Sequence, residues 1–201
     1  MKKTLLSVLF VFLTTVSFSE QKLKVLATIN NESITNIDLL NEIKIIQVLN
    51  IEKNINFESE NTKQIALTNI VNEILKNLEV NTLEIKANKN LIDEQYSKLI
   101  NTLGENKNQV SAILREKIYQ KIELDNRWNS LILQQYSWKT SVNMKEIDQK
   151  LKTIQKKDTN SEQSFNLKEQ ILMTEKNKKI STYSNNHLEK IKKKALIKFF
   201  P

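Results

Sequence analysis

Apolar residues along this chain recur mostly at three- and four-residue intervals, the spacing that stacks side chains on one face of an α-helix. The clearest run is Val110, Ile113, Leu114, Ile118, Ile122, Leu124, Trp128, Leu131, Ile132 and Tyr136. It predicts a helix of about 29 residues, roughly 43 Å long at 1.5 Å per residue. Such a helix exceeds what a compact bundle of this size needs. Its end, from Trp128 to Trp138, is therefore expected to project and to present aromatic side chains beside a cleft or a neighbouring chain. Leu67, Ile70, Val71, Ile74, Leu78 and Ile85 predict a second long helix. Ile92, Tyr96, Leu99, Ile100 and Leu103 predict a shorter one, stopped by Gly104 where a left-handed cap is cheapest. Leu167, Ile171, Ile180, Tyr183, His187, Leu188 and Ile191 place a last helix from Phe165 onward, solvated in its polar middle from Thr174 to Lys179.

Other stretches break the helical period. Leu23 to Ile29 reads as a short strand, Asn30-Asn31 as a tight turn that tolerates positive φ, and Glu32 to Ile34 as the returning strand. Thr35 stands three residues before Asp38, a capping-box arrangement that starts a first helix over about Asn36 to Leu49. Asn50 to Glu60 is a loop, and Asn143 with Glu146 caps a short helix that runs to about Ile154. Lys156 to Ser164 is almost free of apolar residues and reads as a linker. The stretch from Lys194 to Phe200 is rich in strand formers and would leave open edge groups if it stood alone. The N-terminal hairpin is its natural partner. The expected fold is mostly α: a multi-helix core with a small β-sheet made by the N-terminal hairpin and a C-terminal strand.

The first residues belong to a different pattern. Met1-Lys2-Lys3 is basic, Thr4 to Phe18 carries no charge, and Ser17-Phe18-Ser19 offers the small residues that signal peptidase requires. The uncharged run falls short of the roughly 20 apolar residues that span a bilayer, so cleavage before Glu20 and export are expected. Cleavage removes Lys2 and Lys3 from the 31 basic residues, leaving 29 against 23 acidic ones and a net charge near +6. The organisation is thus a signal peptide over 1–19, a helical domain over 20–155, a linker over 156–164, and a C-terminal helix and strand over 165–201 that complete the same domain.

Composition narrows the chemistry. The chain has no cysteine, so neither disulfides nor thiol catalysis are available, and apolar helix faces must hold it together. With one glycine and one proline, it lacks the residues that phosphate-cradling loops and tight sheet corners need. The lysines are spread along the whole chain, and an exported protein does not meet nucleic acid, so no nucleic-acid partner is expected. His187 is the single histidine and sits at helical spacing with Tyr183 and Ile191, which reads as a structural position. One histidine without cysteine does not make a zinc site. No catalytic residue, metal or cofactor is expected.

Val25-Leu26-Ala27-Thr28-Ile29-Asn30-Asn31-Glu32-Ser33-Ile34-Thr35-Asn36-Ile37-Asp38-Leu39 resembles the opening of the SurA-type periplasmic chaperones and prolyl isomerases. Ile70 to Leu78, Asn90 to Gly104, Ile113 to Trp138 and Val142 to Leu151 follow the order of that family's later helices. Leu167 to Phe200 resembles its closing helix and strand. Where the family carries a parvulin isomerase domain, this chain has only the linker region. The resemblance therefore implies an ATP-independent chaperone without isomerase activity. It would bind unfolded outer-membrane proteins and pass them to the outer-membrane insertion machinery. Phe57, Trp128, Tyr136, Trp138 and Met144 are the candidate peptide-binding residues. For Trp128 and Tyr136 two readings stay open, a wall of an apolar cleft or simple core filling. A non-catalytic adaptor, or a homodimer with exchanged helices, would use the same cleft for a folded partner.

Overall fold

The structure, a computed structural model, describes residues 22–49, 59–104, 110–154 and 161–200. The expected signal peptide and residues 50–58 of the expected loop, Phe57 among them, lie outside those residues, while Ser59 and Glu60 of that loop belong to the start of the next helix. Strand β1 (Val25–Ile29) turns through Asn30, which takes φ +53°, into β2 (Glu32–Thr35). Thr35 and Asp38 then reciprocate as the sequence leads one to expect. The Thr35 amide donates to Asp38 Oδ2 at 3.0 Å and the Asp38 amide donates to Thr35 Oγ1 at 3.3 Å, closing the free donors at the start of helix α1 (Asn36–Leu49).

Helix α2 (Glu60–Thr82) is capped by Ser59, whose side chain accepts from the Thr62 amide. It ends one turn earlier than its apolar stripe suggests. Glu84 takes φ +52° and the Ile85 amide reaches back to the Val80 carbonyl at 3.0 Å. This six-to-one bond is the mark of a Schellman closure, here with glutamate where glycine is usual. Ile85 is thus the apolar plug of a cap and packs with Val80, not a member of the helix. Helix α3 (Lys89–Thr102) starts from an Asn88 cap and runs into Gly104, which takes the expected left-handed φ of +54°.

Helix α4 (Ala112–Thr140) has the anticipated 29 residues. It bends at Tyr136, which leaves helical geometry with φ −124° and ψ 20°. Helix α5 (Met144–Ile154) follows, held at its start by Asn143 Oδ1 accepting from the Lys145 amide at 3.0 Å. Helix α6 (Ser161–Lys192) leads into β3 (Ile197–Phe199). The linker expectation is corrected in part: residues 161–164 already belong to α6, while 156–160 fall outside the described residues. A helix start that is polar all round carries no apolar stripe by which to recognise it.

The three strands form one antiparallel sheet in the order β2-β1-β3, with Ala27, Thr28 and Ile29 opposite Phe199, Lys198 and Ile197. Both ends of the described chain therefore meet in one sheet. Ala27, Ile29 and Ile34 are fully buried against Val71 and Leu75 of α2, with Leu188 and Ile191 of α6 beside them. A second apolar cluster joins Ile45 of α1 to Leu103, at the end of α3, and to Val110, Leu114 and Ile118, around the start of α4. A third gathers Val80, Ile85, Trp128, Leu131 and Ile132. Among the described residues no helix is long and apolar enough to cross a membrane.

Candidate functional site

The α4 end that was expected to project beside a cleft or a neighbouring chain is accompanied by α6. Trp128 is only 1% exposed, and its indole N–H donates to Ser184 Oγ of α6 at 2.7 Å. Of its two open readings, core filling is the one that holds, since a buried indole offers a client nothing to touch. Tyr136 stacks on Tyr183 with ring centroids 5.2 Å apart. Its hydroxyl lies 2.9 Å from Nδ1 of His187, whose Nε2 lies 3.0 Å from Glu79 Oε1 of α2. His187, 5% exposed, is the polar pin that joins α2, α4 and α6. Tyr136 is half-buried and tied into the same pin.

A second polar pin was invisible in the apolar pattern. Glu42 of α1 is buried, accepts from Asn69 Nδ2 at 3.0 Å, and pairs with Lys121 Nζ of α4 at 2.7 Å. Lys121 pairs with Glu73 of α2 as well. One cation thus satisfies two carboxylates from two helices. Beside this pin a cleft of about 450 Å³ opens between α1, α2 and α4. Glu42, Glu73, Asn77, Lys117, Lys121 and Arg127 all line it, together with Ile45, Ile70, Ile74 and Leu124. Its walls are charged, so the apolar cleft expected from the sequence is not found there.

Apolar surface is exposed elsewhere. Trp138, just past the bend in α4, is 72% exposed, with Lys139 Nζ 4.5 Å from its ring centre. Met144, Ile154, Phe165 and Met173 are exposed along α5 and the first half of α6. These two helices form an antiparallel arm. Its inner contacts are Ile147 and Ile171, both buried, and its outer ties are Lys150 to Glu175 at 2.8 Å and Lys168 to Asp148 at 2.7 Å. The hydrogen bond from Lys150, with a second from Lys178, holds the Glu175 carboxyl below the ordinary glutamate range. Lys179 anchors the arm's base by donating to the Ser141 carbonyl at 2.7 Å.

Of the five candidate binding residues, Trp138 and Met144 are thus accessible on the arm, Tyr136 is partly covered at its base, Trp128 is in the core, and Phe57 is outside the described residues. Ile154, Phe165 and Met173 were not singled out from the sequence. Their signal was an apolar residue standing off the buried stripe of its own helix. Among the described residues no group of three or more His, Asp or Glu side chains is placed to hold a metal ion. No protein-family model, curated protein or solved structure matches the chain.

Proposed function

We propose that this chain is an ATP-independent periplasmic chaperone that holds unfolded outer-membrane proteins against the apolar surface of its α5–α6 arm. The observation that carries this reading is the set of large apolar side chains left exposed on the arm and at its base: Trp138, Met144, Ile154, Phe165 and Met173. Burying apolar surface yields roughly 25 cal/mol per Å² whatever the client's sequence, which is the tolerance a holdase requires. The two methionines add unbranched, deformable contacts that adapt to different clients. The lysine over Trp138 lets the same spot accept an aromatic ring or a carboxylate.

Such contacts are individually weak and open quickly. A client held at several points is shielded from aggregation yet released one point at a time, with no need for a nucleotide. Export rests on the pattern of Met1 to Ser19, and the client class and hand-over to the insertion machinery rest on the resemblance to SurA-type chaperones.

Light scattering of a denatured barrel protein diluted into buffer tests this directly. Near-stoichiometric amounts of the chain are expected to suppress the scattering, and a soluble control protein to leave it unchanged. No suppression, combined with a single tight partner in a pull-down, would replace the chaperone by an adaptor for one folded protein or for a second copy.

A further inference from the structure

Strand β3 is one of the two outer strands of its sheet, paired with β1 on one side only. The Asn30 amide donates to the Leu196 carbonyl at 2.8 Å and the Phe200 amide to the Leu26 carbonyl at 2.9 Å. In an antiparallel ladder the main-chain groups alternate sides, so residues 196, 198 and 200 address β1. Ile197 and Phe199 therefore direct their N–H and C=O groups outward. Those groups face solvent and form a template on which another extended backbone can pair.

The surroundings specify what that backbone should carry. Leu196, Phe200 and Phe199, the last 62% exposed, lie at this edge, with Leu23 and Val25 exposed on the stretch that leads into and begins β1. Lys22, Lys24, Lys193, Lys194 and Lys198 belong to the same two stretches, which contain no aspartate or glutamate. Among the described residues no carboxylate pairs with any of these five; the nearest lysine with a partner is Lys192, joined to Glu189. Apolar side chains and lysines without a carboxylate partner thus flank the open main-chain groups within β3's own stretch, and Lys22 and Lys24 add to the positive charge from the neighbouring β1 stretch.

We propose that the outer edge of β3 takes an extended segment of an unfolded partner polypeptide by strand addition, one in which apolar residues alternate with acidic ones. This deepens the chaperone reading and rests on it for the source of the segment. Main-chain hydrogen bonds supply binding independent of sequence, and the lysines select for acidic strands. A second copy of the chain is the poorer occupant. Two lysine-framed edges repel, and a three-residue strand buries far less than the roughly 1,200 Å² at which stable interfaces begin.

A fluorescent peptide of alternating aspartate and valine, added to the full chain, provides the probe. Amide hydrogen exchange at Ile197 and Phe199 is expected to slow when it binds. N-methylation of the peptide along one edge is expected to weaken binding about tenfold, as is replacing its aspartates by lysines. Phe199→Pro removes an outward N–H while leaving the inward bonds of Lys198 and Phe200, a change that an edge strand tolerates. It should weaken binding about as much as N-methylation does, and Phe199→Ala, which keeps the N–H, should weaken it less. Binding that ignores both N-methylation and Phe199→Pro, or that protects other amides, would overturn the proposal. Self-association abolished by Phe199→Pro would overturn it in favour of a second copy. Suppression of barrel-protein aggregation is measured in parallel on the Phe199→Pro chain. Suppression that persists without protection at β3 removes the strand site and leaves the chaperone. Protection at β3 without suppression in the unaltered chain removes the chaperone instead.

Discussion

Trp128→Ala is expected to lower the unfolding free energy by about 3–5 kcal/mol, the usual cost of emptying a large aromatic site in a core. The indole is enclosed by Val80, Ile85, Leu131 and Ile132, and its N–H is the donor to Ser184. Alanine would leave a cavity where α2, α4 and α6 meet and a serine hydroxyl without its donor. Domains are stable by only about 5–15 kcal/mol, so the variant should unfold at a much lower urea concentration. Trp138→Ala, at a position 72% exposed, should change stability by no more than about 0.5 kcal/mol. Equal midpoints for the two variants would mean that the Trp128 ring is not where the packing places it.

Lys121→Met is expected to cost a similar amount, about 3–5 kcal/mol, for an electrostatic reason. Methionine fills much of the same volume but removes the cation between Glu42 and Glu73. Glu42 is buried, and its remaining partner, Asn69, donates a single neutral hydrogen bond. A carboxylate without a counter-ion in that place is penalised by desolvation, and two carboxylates then face each other across α1 and α2. Adding Glu42→Leu should recover most of the loss, because the uncompensated buried charge goes with it. A urea denaturation midpoint for Lys121→Met close to that of the unaltered chain would show that the ion pairs carry no net stability.

The amino-acid pattern made some parts of this fold legible and left others hidden. Strand, turn and capping chemistry are local, so the hairpin at Asn30, the Thr35–Asp38 box and the Gly104 cap could be read from neighbouring residues. The return of β3 to β1 followed from the need to cover a strand edge. Periodicity shows which face of a helix is apolar, but not whether another helix lies on it; that is why Trp128 could be read either way. The Glu42–Lys121–Glu73 pin joins residues far apart in sequence, among many other lysines and glutamates, and nothing local distinguishes them. The exposed arm was hard to read for a related reason. Phe165 and Met173 stand off the stripe that runs through Ile171, but a lone off-stripe apolar residue does not say whether a neighbouring helix covers it; only the position of α5 shows that they stay exposed.

The pH response of the arm follows from one of its ties. Because Lys150 and Lys178 hold the Glu175 carboxyl below the ordinary glutamate range, its ionised form favours the folded arm. That contribution is present above the ordinary glutamate range and fades as pH falls through the lowered value. Near neutral pH the Glu175 tie is kept.

Site-specific photo-crosslinking to an unfolded barrel protein bears most directly on the claim that the arm is the holding surface. A crosslinker placed at Trp138, Met144 or Phe165 should capture the client in high yield. One placed at Ile113, which is 64% exposed but lies at the far end of α4, should capture little. Equal yields from Ile113 and the arm, or none from the arm, would contradict the assignment.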